Sequence, residues 1–143
     1  MKRTAILLIL ISLVSFGCGK GNVKPSEDSI MATEAFKNIN ILKEAYEGKS
    51  RKTLQDRIAP HIARGILEAL YFDRAELDLR PRMVKIQETD LVVNVIWKGS
   101  WHFPDETRLE NRGVADLILD RETMKLLEIK GDNPFSIPSL EKR

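Results

Sequence analysis

Side chains that hold metals or act as nucleophiles near neutral pH are scarce in this chain: two histidines, His61 and His102, and one cysteine, Cys18. Neither histidine has another histidine or a cysteine at the i, i+3 or i, i+4 spacing of a helical zinc site. No metal site and no cofactor are expected. The glycines of GCGKG, Gly17 to Gly21, lack both the spacing of a phosphate loop and a strand before them. Acid–base chemistry is the remaining route, since a carboxylate or imidazole buried among apolar groups has its pKa moved toward neutrality. Asn94, His102, Asp105 and Asp116 stand on or beside segments that read as strands. Each also has an ordinary reading. His102 falls at a strand end, Asp105 follows a proline in a turn, and Asp116 alternates with apolar neighbours as a solvent-facing residue does.

The aromatic residues are the stronger signal. Trp97, Trp101 and Phe103 share parity and form a row on one face of a strand that stays regular through Gly99. Each buried indole requires a partner for its N–H. The row either lines a binding pocket or packs on the first helix through Phe36, Ile39 and Tyr46. In a small cone-shaped domain the two merge. The candidate pocket lining is therefore Trp97, Trp101, Phe103, His102, Asn94, Tyr46 and Phe36, with no residue assigned a catalytic role.

These residues need a scaffold. Ser26 or Ser29 caps a helix whose apolar positions Ala32, Ala35, Phe36, Ile39, Leu42 and Tyr46 recur at three- and four-residue spacing, with Gly48 as its stop. Ser50 opens a short second helix with Leu54 and Ile58. Pro60 ends it or opens a third, striped by Ile62, Ile66, Leu67 and Leu70. Gly65 within that helix suggests close packing. From Ala75 the period becomes two. Leu77 and Leu79 alternate with charges, and Val84 and Ile86 resume on the opposite parity. Pro81-Arg82-Met83 is therefore a bulge on an edge strand. Leu91–Phe103, Thr107–Leu119 and Met124–Lys130 complete four strands joined by short turns, and Phe135 folds back on the core. Helices followed by an antiparallel meander give an α+β domain, with helices packed on one face of a curved four-stranded sheet.

The N-terminus carries a different message. Lys2 and Arg3 precede the apolar run Ala5 to Val14, and Ser15-Phe16-Gly17-Cys18 follows: the layout of a secretory signal peptide, too short to span a bilayer. The division expected is a signal peptide over 1–17, Cys18 and a tether over 18–28, one α+β domain over 29–135 and a loose tail over 136–143. Lys2 and Arg3 also supply the whole formal charge of +2. The remainder is balanced, with no basic excess to bind nucleic acid. The tether Gly19–Glu27 reaches at most about 30 Å.

Two resemblances follow. Residues up to Cys18 resemble bacterial lipoprotein precursors, with Gly17 and Cys18 at the last two places of the lipobox. This implies diacylation of the Cys18 sulfur, cleavage before it, and anchoring of an exported protein to the bilayer on the periplasmic side of the envelope. Gly19, rather than an aspartate, favours the outer membrane in a diderm organism. Ser15 and Phe16 depart from the usual lipobox, and Ser15-x-Gly17 also suits ordinary signal peptidase, which would leave Cys18 as a free thiol. Residues Ser29 to Phe135 resemble the cystatin-like superfamily that includes nuclear transport factor two and ketosteroid isomerases. Ala45–Ser50, Trp97–Phe103 and Leu126–Phe135 carry that resemblance. Many members place a strand between their helices, and none is read here. The superfamily implies either a non-catalytic binding or scaffold module, pairing through its sheet with an envelope protein or a second copy, or a small pocket isomerase or hydrolase acting on an apolar molecule. A purely structural component with a fully packed sheet is a third reading.

Overall fold

The computed structural model describes residues 24–138. The expected signal peptide, Cys18, most of the tether and the end of the tail lie outside the described residues. Helix α1, Glu27–Glu47, starts where the Ser26 hydroxyl accepts the Ser29 N–H at 3.2 Å, with Glu27 and Asp28 at its positive end. Its stripe of Ala35, Asn38, Ile39, Leu42, Ala45 and Tyr46 is buried. At the other end Gly48 keeps a right-handed φ of −82°, and Lys49 takes the left-handed turn at φ 55°. The Lys49 and Ser50 N–H groups bond back to the carbonyls of Tyr46 and Ala45, which closes the helix as a Schellman turn with lysine where glycine is usual. Lys49 Nζ donates to the Phe72 carbonyl at 2.8 Å and lies over the Phe72 ring, contacts that hold the residue in place.

Helices α2 (Arg51–Arg57) and α3 (Pro60–Glu68) follow, with Pro60 opening the second of them. Between them Ile58 forms a single parallel bridge to Leu126, and the Ala59 N–H donates to the Leu126 carbonyl at 2.8 Å. The strand that the resemblance places between the helices is present here as that one bridge. Pro60 follows too closely for more, because it has no N–H to give.

The sheet is an antiparallel meander in the order β1 (Arg74–Ile86), β2 (Asp90–His102), β3 (Arg108–Asp120) and β4 (Leu126–Gly131). The register slips between Pro81 and Met83, as the parity change predicts, and β1 is an edge. Odd-numbered residues of β2, from Leu91 to Trp101, are buried on the face toward the helices. Phe135 is fully buried against Tyr46, their ring centroids 5.5 Å apart. Buried Asn38 ties three elements together: its amide donates to the Met124 carbonyl at 2.5 Å, and its oxygen accepts from Arg57 at 2.6 Å. Among the described residues no helix is long and apolar enough to cross a membrane.

Two glycines have opposite roles. A Cβ on Gly65 would meet nothing within 4 Å, so the close packing expected there is not made. A Cβ on Gly99 would lie 2.9 Å from both Trp101 Cζ3 and Leu77 Cδ2, so this glycine makes room for the indole. Gly65→Ala is predicted to stabilise the domain by up to about 1 kcal/mol and raise the melting temperature by several degrees. Gly99→Ala is predicted to destabilise it by about 1–3 kcal/mol through overpacking. Thermal and urea unfolding of the two variants measure both signs.

Candidate functional site

The aromatic row closes on α1. Trp97 and Trp101 meet edge to face, 6.4 Å between centroids, and both are buried. The Trp101 indole donates to the Tyr46 hydroxyl at 2.9 Å, and Trp97 donates to the Asp132 carbonyl at 2.7 Å. Phe72 and Phe135 complete the cluster around the Tyr46 ring. Burial pushes the Tyr46 phenol up to about 12, with the Trp101 hydrogen bond acting in the opposite direction. The indoles are buried between helices and sheet, and the polar atoms that accept from them are a phenol and a main-chain carbonyl.

The other candidates lie elsewhere. Phe36 sits to the side of the buried stripe, 40% exposed, and lines a shallow groove with Lys43, Leu79 and Pro81. Phe103 lies beyond the end of β2, where its N–H closes a turn onto the Thr107 carbonyl. It stacks on exposed Tyr71 at 5.8 Å, in an open groove of about 510 Å³ that includes Pro104, Ile137 and Pro138. Asn94 and His102 have the opposite parity to the indoles and stand on the outer face of the sheet. Asn94 donates to Asp116 at 2.7 Å. His102 Nε2 lies 3.3 Å from the Ser100 hydroxyl, which also accepts from Arg108 at 3.2 Å. Hydrogen bonds from Thr107 hold the Asp105 carboxyl below the usual carboxylate range, away from the near-neutral value that proton transfer favours. Among the described residues no group of three or more potential ligands could hold a metal ion.

The outer face, whose Lys98, Arg108, Glu110 and Arg112 read in the sequence as a mixed-charge solvated face, holds a groove lined mainly by residues outside the candidate lining. Among the described residues this face carries no helix, and its even-numbered β2 and β3 residues form cross-strand rows. Arg80, Ile96 and Val114 are neighbours in one row, and Asp78, Lys98 and Arg112 in the next. Ile96 is 42% and Val114 45% exposed. Together these residues line an open groove of about 470 Å³. Gly113 beside it carries no side chain because the Asp132 carboxylate occupies the space, 2.6 Å from where a Cβ would stand. The available signal was parity: Ile96 and Val114 fall at outward positions between polar residues.

No protein-family model matches the chain, and no curated protein matches it. Among solved structures it is similar to a nuclear transport factor 2 (NTF2-like) superfamily protein from Salmonella enterica serovar Typhimurium. The TM-score is 0.64 at 13% identity, over 81% of this chain and 99% of that one. The chain is an α+β domain with the NTF2-like fold, as the cystatin-like resemblance implies. At that identity the likeness extends to the fold alone.

Replacing Tyr46 tests how the cluster is held. Tyr46→Phe is predicted to cost about 1–3 kcal/mol at pH 8, because the buried Trp101 N–H loses its acceptor. The folded phenol titrates higher than the unfolded one, so the wild-type advantage is complete below pH 10 and declines as pH rises toward 12. At pH 11 the gap should be narrower by about 1.4 kcal/mol. Urea unfolding at the two pH values checks this, and an unchanged gap would refute it.

Proposed function

We propose that the protein is an exported lipoprotein, tethered to the cell envelope through acylated Cys18, whose domain is a non-catalytic binding module. One observation carries the binding reading: the inner face of the sheet is lined by buried aromatic residues, while among the described residues the outer face is uncovered and exposes Ile96, Val114 and Met83. Exposed apolar groups gathered on one sheet face mark an interaction surface. A pocket enzyme of this fold would need an open apolar chamber with an acid or base against the indoles. What lies against them is Tyr46, whose phenol stays protonated at neutral pH, and a carbonyl. The anchor reading rests on Gly17-Cys18 after the apolar run and on a charge-balanced remainder. Gly19 supports the outer membrane as its site in a diderm cell.

Intact mass of the protein from a membrane fraction, beside Cys18→Ala, tests the anchor. The expected result is a diacyl or triacyl increment on a chain beginning at Cys18, lost in the variant. A cleaved, unmodified chain in the soluble fraction would overturn the anchor and leave Cys18 a free thiol.

A further inference from the structure

We propose that the groove on the outer face of the sheet binds a single-chain anionic amphiphile of the fatty-acid type, its carboxylate between Lys98 and Arg112 and its chain along Ile96 and Val114. The inference rests on the reading of this face as the binding surface, and it names the occupant.

The charge pattern carries it. Four cations of the sheet are paired with a carboxylate two residues away on their own strand: Arg74 with Glu76, Arg80 with Asp78, Arg108 with Glu110 and Lys130 with Glu128. Lys98 and Arg112 are not paired in this way. They face each other directly in the β2–β3 register, an arrangement of like charges that destabilises a sheet. Neighbouring acids are engaged elsewhere. Asp78, opposite Lys98, accepts from Arg80 Nε at 2.8 Å, and Glu110 accepts from Arg108. Asp132 Oδ2, near Gly113, accepts the Val114 N–H at 3.1 Å. Among the described residues neither Lys98 nor Arg112 has a carboxylate oxygen within 4.0 Å. An exogenous carboxylate would relieve the repulsion, and the arginine fork suits it geometrically. One row away the groove turns apolar at Ile96 and Val114, so a ligand with an anionic head and an aliphatic chain complements both parts. A second copy whose twofold axis passed between Lys98 and Arg112 would set these cations against their own copies.

Calorimetric titration of the full chain carrying Cys18→Ala avoids competition from its own acyl groups and from detergent. The probe is decanoate below its micelle concentration, with acetate and decyltrimethylammonium as head-only and opposite-charge controls. Decanoate should bind and both controls should not. Lys98→Gln with Arg112→Gln should weaken binding about tenfold or more, as should Ile96→Ser with Val114→Ser. Because the charge variant removes a repulsion, its melting temperature should not fall, so lost binding cannot be ascribed to unfolding. Equal binding of decyltrimethylammonium, or affinity unchanged in both double variants, would overturn the proposal. So would binding only to anionic phosphatidylglycerol vesicles, which would assign the face to a bilayer. A dimer in sedimentation that Val114→Asp dissociates would assign it to a second copy. The mass measurement on Cys18 is independent of all these outcomes, so failure of the anchor and failure of the groove are separable.

Discussion

Two indole N–H groups must find partners inside a domain whose core is mostly apolar, and the rest of the structure is arranged around how they do so. A buried donor left unpaired costs about 1–3 kcal/mol, a large fraction of what stabilises a small domain. Trp101 uses the Tyr46 hydroxyl, which fixes α1 against β2 at its C-terminal turn. Trp97 uses the Asp132 carbonyl, which fixes the segment after β4. That segment then delivers Phe135 to the Tyr46 ring and sets the Asp132 carboxylate beneath the Val114 N–H. The indoles thus determine where both ends of the domain lie. They also occupy volume between the helices and the sheet, which is why the recognition proposed for this domain is placed on the outside of the sheet.

Leaving one sheet face and one edge open carries a risk of aggregation, and the sequence answers it with charge. On the edge strand the Leu77 N–H donates to Glu47 of α1 at 2.6 Å, and Glu47 is in turn held by Lys43. That carboxylate satisfies a main-chain donor that another strand could otherwise recruit. Across the outer face, pairs two residues apart along single strands neutralise most charges locally. Exposed pairs of this kind contribute little to stability. Lys98 and Arg112, which face each other in the register, stand outside these pairs.

Much of the fold was legible because its signals are local. Helical spacing from Ala35 to Tyr46, proline at the start of α3 and the parity change around Pro81 each depend on a few neighbouring residues, and each element forms where those signals place it. The candidate site was less legible because it depends on side-chain parity and on contacts between distant segments. Asn94 and His102 were grouped with the tryptophans by nearness in sequence, yet a strand sends alternate residues to opposite faces. Phe103 shares parity with Trp101, but the strand ends before it and its row ends too. Asp132 as partner of Trp97 could not be read at all, because nothing local relates positions that far apart. Gly65 misled for a physical reason: glycine marks either close approach or a tolerated loss of helix propensity, and only the surrounding space distinguishes them.

The topology also fixes where the chain enters the domain. Glu27, at the start of α1, lies 3.9 Å from Arg121, and Arg121 donates to the carbonyls of Gln87 and Glu88. The chain therefore enters the domain at the end of the sheet that holds the β1–β2 and β3–β4 turns. The Tyr71–Phe103 groove is at the opposite end, beside the β2–β3 turn. The Lys98–Arg112 row lies between these ends. A tether of at most about 30 Å, fixed at Cys18 as proposed, would keep the turn end nearest the bilayer and leave the outer face standing beside it. A face held in that position would be within reach of the single-chain amphiphiles proposed as its ligand. In the proposed arrangement the anchor and the groove would act together without contact between them: the tether would set the distance, and the sheet would set what is presented at that distance.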